Sequence, residues 1–547
     1  MVVDVRPVGA RPRGGTVRTT PFAAVLVGAL LLTSAAARTE AATPPGAVRS
    51  AGSLGPDLDR LFADARLTGA QSSALVTDAA TGEVLYEHAP GALLLPASTL
   101  KTVTAAAALD LLGPDHRFTT EVRAAGRRSG PALDGDLVLH GGGDPTLLPA
   151  DLDALAGEVA AAGITEVTGA LRADVTRYDD VPLGADWAWD DQAAYYSPQI
   201  SALTLTTDTD YDPGTVRLTL TPAARPGQPA QVEVTPAEAP VHLSGSVTTA
   251  AAGGAYTVQV DRRPGGNELR LDGALPADGG TGQEWIAVDD PAALATTVFA
   301  AALARHGVTV RGGAATGRAP EADTVLARHD SAPLADLMVP FLKLSNNGIA
   351  EHLVKEIGRV AAGHGSWAAG LDRIAGFLHR SGLEPTAARQ RDGSGLSRRN
   401  LLTTRRLTAL FGYARTQPWF HAWYDALPVA GDPRRMVGGT LTNRMRGTAA
   451  AGRVHAKTGS MTGVDALAGY VERADGRTLA FAVLLNNFAG DSPRPLLDAF
   501  AVRLAGDGAA GPAPADRAPD SAAPSVRDGR RAAPYDWETA CLTDARC

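Results

Sequence analysis

The sequence predicts an α/β fold, of the α+β kind, in which one domain is split by a β-rich inserted region. Three observations carry this. Hairpins and alanine-rich helices occur together in two segments, one near each end of the chain. The stretch between them is rich in Val, Thr, Gly and Pro, arranged in short alternating runs. And 547 residues exceed what one hydrophobic core ordinarily organises. The expected division is 1–42 leader, 50–114 first part of the split domain, 115–325 inserted subdomains, 326–506 second part, and 507–547 tail.

The leader carries Arg6, Arg11, Arg13 and Arg18 ahead of an apolar run over 22–32, then small residues at 35–37 and 41–42. This is the pattern of an export signal with a cleavage site. The run is too short to span a bilayer, so the mature chain is expected outside the cytoplasmic membrane, secreted or wall-associated, with no transmembrane segment. A hairpin follows, 74–78 and 83–88, turning at Ala79-Ala80-Thr81-Gly82. Pro96-Ala97-Ser98 opens an alanine-rich helix over 99–112 that Gly113-Pro114 stops, which places Ser98 at a helix start. In the insertion, 136–140, 216–220 and 256–260 alternate as strands do, and 151–162 is the one expected helix. Helices return at 332–342, 349–361 and 367–381. A second hairpin, 466–472 and 478–485, turns at Asp475-Gly476. A last helix covers 493–505. Beyond Gly506 the chain is Ala, Pro, Asp and Arg without period, which predicts a disordered tail. The only cysteines, Cys541 and Cys547, lie in that tail; a disulfide between them would close only a small terminal loop.

A net charge of -8 gives no reason to expect nucleic acid or an anionic membrane as partner. The cations are lopsided. Of 51 Lys and Arg, only four are Lys: Lys101, Lys343, Lys355 and Lys457. Arginine cannot give up its proton in a protein, whereas a buried lysine can, so each lysine is a candidate base. Lys355 is read as a surface residue.

Ser98-Thr99-Leu100-Lys101 places a hydroxyl and an amine three apart on one helix face, so they can touch. The hydroxyl gains a base and the positive end of a helix. Lys457-Thr458-Gly459 precedes the second hairpin. There Gly459 allows close backbone approach, Thr458 and Ser460 can hold a carboxylate, and Lys457 adds charge. Ser345-Asn346-Asn347 lies between two helices, where its residue types also suit a cap. Other chemistries lack their marks. His140 followed by Gly141-Gly142-Gly143 is the oxyanion-loop pattern of lipases, but no G-x-S-x-G elbow occurs. No G-K-[ST] follows the glycines, and the histidines show no metal-ligand spacing.

S-x-x-K, S-x-N and K-T-G in this order form the signature of penicillin-recognising serine enzymes. The chain resembles the low-molecular-mass class C penicillin-binding proteins, the D-alanyl-D-alanine carboxypeptidase/endopeptidase family with a large insertion between the first two motifs. The likeness includes 141–146 and 392–398 and runs from about residue 55 to 505. It implies a penicillin-recognising serine transpeptidase-like domain, no cofactor or metal, peptidoglycan stem peptides as substrate and β-lactams as covalent inhibitors. It implies Ser98 as nucleophile and Lys101 as its base, with burial and nearby Lys457 destabilising the charge on Lys101. Ser345 relays the proton, Asn347 orients substrate and lysine, and the N–H groups of Ser98 and Ser460 form the oxyanion hole. It places Trp187, Asp190, Tyr195, Arg398 and Met461 around the side chain preceding the D-alanines. A β-lactamase and an inactive wall-binding scaffold are the alternatives.

Overall fold

The structure is a computed structural model that describes residues 54–506 apart from 321–323 and 384–387. The expected leader, tail and cysteine pair lie outside those residues.

The two hairpins meet in one antiparallel sheet. Its strand order is Val454–Met461, Val464–Glu472, Thr478–Asn486, Gln71–Asp78, Val84–His88. The join between chain halves runs from Gln71 opposite Asn486 to Asp78 opposite Leu479. Alternation gives the sheet two buried faces. Ala466, Ala468, Tyr470, Ala482 and Leu484 face a helical layer. Leu467, Val471, Phe481, Val483 and Leu485 face the helices Leu54–Phe62 and Arg494–Ala505. The helical layer holds Lys101–Leu111, Leu334–Lys343, Asn347–Ala362, Trp367–Arg380, Thr404–Ala414 and Phe420–Asp425. Small residues explain how Lys101–Leu111 reaches the middle of this layer. Ala105 to Ala108 are all buried, so the helix is covered all round.

The inserted segment has its own hydrophobic cluster, from Val122 to Ala327. Its largest sheet pairs Ala132–His140 with Thr119–Ser129 and the latter with Thr324–Asp330. Smaller sheets surround it. Four differences from the sequence reading stand out. Helix Pro291–Arg305 joins Pro149–Ala161, so the insertion has two long helices rather than one. Its start was readable: Asp290 caps it from its side chain and Pro291 occupies the first turn. Strand Thr324–Asp330 runs through the expected boundary at 325 and pairs inside the insertion. Of the run 256–260, only Gln259 and Val260 enter a strand, Gln259–Arg262. Helices Thr404–Ala414 and Phe420–Asp425 were not anticipated either.

The insertion grips the helix Asn347–Ala362. Arg177 holds Glu356 with two bonds, at 2.5 and 2.9 Å, and Tyr178 adds a third. Lys355 donates to Asp179 at 2.6 Å and to the Val181 carbonyl. At the start of the helix the Asn346 amide donates to the carbonyls of Asp210 and Tyr211, while its oxygen caps Ile349 N–H. Among the described residues, no helix is long and apolar enough to cross a membrane.

Candidate active site

Ser98 sits in a 3-10 turn, Ala97–Leu100, that runs into the helix Lys101–Leu111. Ala97 before it has φ 45°, a left-handed conformation costly for a residue with a Cβ. Two glycines pack against this turn. A Cβ on Gly395, itself at φ +89°, would lie 2.0 Å from the Ala97 carbonyl oxygen. A Cβ on Gly459 would lie 2.8 Å from the Pro96 oxygen and 3.1 Å from Ser98 N. Only glycine lets both neighbours come this close.

Lys101 is fully buried, whereas Ser98 is half-buried. The amine lies 2.8 Å from Ser98 Oγ, 2.6 Å from Asn347 Oδ1 and 2.8 Å from the Ser394 carbonyl oxygen. The last two are acceptors only. A neutral amine spends its two hydrogens on them and turns its lone pair to the Ser98 hydroxyl. Burial pushes the Lys101 pKa down to about 7, against the pull of Glu351 and Asp392. The influence expected from Lys457 on Lys101 is therefore replaced by two carboxylates acting the other way. Lys457 is itself held well below the ordinary lysine range, by burial first and then by Lys101.

Val454–Met461 is the edge strand of the sheet. Lys457 and Gly459 face the nucleophile turn, and Lys457 donates to Ser345 Oγ at 2.8 Å and to the Thr458 carbonyl. Ser345 has φ 62°; the grip on Asn346 just described holds it there. Asn347 is committed twice, receiving Lys101 on Oδ1 and donating to the Tyr196 carbonyl at 2.7 Å. Thr458 pairs with the Thr440 hydroxyl. Ser460 donates to Asp465 and accepts from Arg494 at 3.1 Å. Thus two hydrogen-bonded sets lie beside the edge strand, Ser98 with Lys101 and Asn347, and Ser345 with Lys457.

The residues expected around the peptide side chain are distributed as follows. The Trp187 indole donates to Asp392 at 3.0 Å and meets Trp367 edge-on, so it anchors its loop to the helical layer. Tyr195 meets Tyr196 edge-on. Arg398 donates to the Thr462 carbonyl, which brings it beside Met461 at the end of the edge strand. Asp190 and Arg398 are exposed, and among the described residues neither forms an ion pair with an opposite charge.

Sequence reasoning missed Glu351 and gave no role to Asp392. Glu351 stands four residues after Asn347 on the same helix, and that spacing was the available signal. Lys355 is corrected: it is fully buried, paired with Asp179 and placed 4.1 Å above the Trp367 ring. Lys343 is buried too and donates to the Leu427 carbonyl. No group of three or more metal-ligating side chains that could hold an ion occurs among the described residues.

The fold and site define a low-molecular-mass class C penicillin-binding protein. The crystal structure of penicillin binding protein 4 (dacB) from Haemophilus influenzae superposes with a TM-score of 0.71 at 26% identity, covering 82% of this chain and 98% of that one. The same protein complexed with a novel β-lactam gives a TM-score of 0.67 at 25% identity, with the same coverage. The chain belongs to the D-Ala-D-Ala carboxypeptidase 3 (S13) family, whose model matches residues 54–506. It is 47% identical over 458 residues to the D-alanyl-D-alanine carboxypeptidase of Actinomadura sp. (strain R39), covering 83% of this chain and 84% of the relative. It is 31% identical over 435 residues to carboxypeptidase DacB of Mycolicibacterium smegmatis, covering 78% and 79%. Membership makes it a peptidase of the D-alanyl-D-alanine carboxypeptidase type.

Proposed function

We propose that the chain is exported and cleaves D-alanyl-D-alanine ends, and cross-links of the same chemistry, in peptidoglycan stem peptides through an acyl-serine at Ser98. The observation that carries this is the set of three contacts at Lys101, to Ser98 Oγ, Asn347 Oδ1 and the Ser394 carbonyl oxygen. In the neutral amine the two pure acceptors take both hydrogens, and the lone pair is left for the Ser98 hydroxyl. Ser98 gives its proton to Lys101 as Oγ bonds to the carbonyl carbon of the penultimate D-alanine. The N–H groups of Ser98 and Ser460 receive the oxyanion. The C–N bond then breaks, and the leaving amine takes the proton from Lys101 through Ser345. Water next gives a proton to Lys101 and attacks the ester; that proton returns to Oγ, releasing the acid. Lys457, Thr458 and Ser460 bind the terminal carboxylate. Every step is supplied by these side chains and water.

For the residue before the D-alanines, Trp187, Tyr195 and Met461 form walls, and Asp190 and Arg398 are the charged ends. Their exposed, unpaired charges support this. One acid and one guanidinium complement the ammonium and carboxylate of a diaminopimelyl side chain.

A β-lactam carries the same acyl-donor chemistry and acylates Ser98. The test is labelling by a fluorescent penicillin. Wild type should bind one equivalent and hold it, and folded Ser98→Ala none. Stoichiometric labelling of that variant ends the assignment, and rapid release of the label points to a β-lactamase.

A further inference from the structure

Two buried carboxylates stand behind Lys101, and the reaction scheme above uses neither. Glu351 is fully buried. Its Oε2 accepts the Trp367 indole N–H at 2.7 Å and Gly393 N–H at 2.9 Å, and Oε1 accepts Ser394 N–H at 2.8 Å. Asp392 is equally buried. Its Oδ1 accepts from Gly395 N–H and the Asn400 amide, and its Oδ2 from Ser397 N–H and the Trp187 indole. Every one of these partners is a donor. At Glu351 these donors favour the charged form, against burial and the neighbouring Asp392, which push its pKa up to about 7.

The loop they hold is the one that touches the reaction. Ser394 N–H bonds Glu351 while Ser394 C=O receives Lys101 Nζ, so a single residue separates the carboxylate from the base. Thr104, one turn along the nucleophile helix, donates to the Gly393 carbonyl and ties the same loop to that helix. Asn347, the other acceptor of Lys101, lies one turn before Glu351. Both acceptors that orient the Lys101 amine are thus placed from one helix face.

We propose that Glu351 is a positioning residue of the reaction. With Asp392 it fixes the 393–395 backbone that orients the Lys101 amine, and when ionised its charge favours the protonated form of that amine. This rests on the reading of Lys101 as base. A neutral hydrogen-bonding side chain would hold a loop without burying a second carboxylate beside the first, which is costly. The charge has a use here because desolvation alone would leave a fully buried lysine too weakly basic to take a proton from serine. Facing Lys101 are Glu351, Asp392 and Lys457. Facing Glu351 are Asp392 from the loop, Lys101 from the nucleophile helix and Lys355 from its own helix. Glu351 and Asp392 raise the Lys101 pKa against its burial, while Lys457 is itself held well below the ordinary lysine range by burial and by Lys101.

The experiment is the pH profile of the second-order acylation rate by a fluorescent penicillin. Wild type, Glu351→Gln, Glu351→Asp and Asp392→Asn are compared, with circular dichroism on each. Loss of the Glu351 charge makes Lys101 lose its proton more easily, so the acidic limb should move down by about one pH unit in Glu351→Gln. The plateau should fall because the base is weaker and the loop less well held. Glu351→Asp keeps the charge and should keep the wild-type limb, with a lower plateau. Asp392→Asn should shift the limb in the same direction as Glu351→Gln, and it carries the test if that variant does not fold. A lowered plateau with an unmoved limb in a folded neutral variant overturns the proposal and leaves these residues structural. If wild type is not acylated at Ser98, the functional reading falls instead, so the two failures are distinguishable.

Discussion

Replacing Gly395 with alanine tests whether the loop 392–397 and the nucleophile turn are fitted to each other. The added Cβ would lie 2.0 Å from the Ala97 oxygen and 3.2 Å from Ser98 N, at a backbone φ of +89°. Ordinary van der Waals contact begins near 3.4 Å, so something must withdraw by about 1.4 Å, the difference between those two distances. Either the loop retreats, and the Ser394 carbonyl leaves Lys101, or the nucleophile turn retreats, and Ser98 leaves Lys101 and the edge strand. Both outcomes misplace a reacting group by roughly an ångström, which costs on the order of a hundredfold in rate. The left-handed backbone adds about 1–2 kcal/mol of destabilisation for any residue with a Cβ. The assay is the acylation rate by a fluorescent penicillin together with urea unfolding. Gly412→Ala is the control: it lies in the helix Thr404–Ala414 with nothing within 4 Å of the added Cβ. It should leave acylation unchanged and stabilise by up to about 1 kcal/mol. Gly395→Ala acylating within about threefold of wild type would refute the fitted-loop reasoning.

Lys101→Arg should lose acylation by at least about a hundredfold while staying folded, because a guanidinium does not accept the serine proton; near-normal rates remove Lys101 from the base role. In the wild type, kcat/KM for a D-alanyl-D-alanine peptide should rise with pH through about 7, since only the neutral amine is competent and burial has brought its pKa there. A limb near 10 would mean Lys101 is not held as described. Asp179→Ala strands the buried Lys355 cation and should destabilise by about 2–3 kcal/mol in urea, less than for a wholly buried pair because Asp179 is partly exposed. Adding Lys355→Met should restore most of that loss, and a double variant no better than the single one argues against the pairing. Asp190→Ala and Arg398→Ala should each reduce the preference for peptides with a free zwitterionic diaminopimelyl end over acetyl-lysyl analogues, measured as a ratio of kcat/KM values; unchanged ratios place specificity elsewhere.

Short-range patterns were the most legible part of the sequence. Asp475-Gly476 with its flanking alternation marked the hairpin 464–486, and Ser98-Thr99-Leu100-Lys101 marked a helix start with a serine in reach of an amine. What was not legible depends on parts distant in sequence. The pairing of 71–78 with 478–486 is set by two apolar faces that find their partners only in the folded sheet. Strand Thr324–Asp330 has exposed and buried residues in no clean alternation, and a bulge at Val325 to Ala327 breaks its register, so its membership of the insertion could not be read. Thr404–Ala414 begins Thr-Arg-Arg and carries a glycine, which masks its apolar stripe of Leu407, Leu410, Phe411 and Ala414. Glu351 read as an ordinary helix charge because the Gly393 and Ser394 donors that define it arrive from forty residues away. Lys355 failed for a related reason: its anion, Asp179, belongs to the insertion.

All four lysines of the chain are buried, three of them completely. The outer cations are arginines, which reagents aimed at primary amines leave alone. Acylating dyes, amine cross-linkers and amine-coupled sensor surfaces therefore find no lysine to attack on the folded body, and attachment through it requires another chemistry. Denaturation uncovers all four at once. Uptake of an amine-reactive dye beyond the α-amine thus reports opening of the three places where lysines are stored, the nucleophile pocket, the grip between helix and insertion, and the contact of Lys343 with Leu427, without any engineered label.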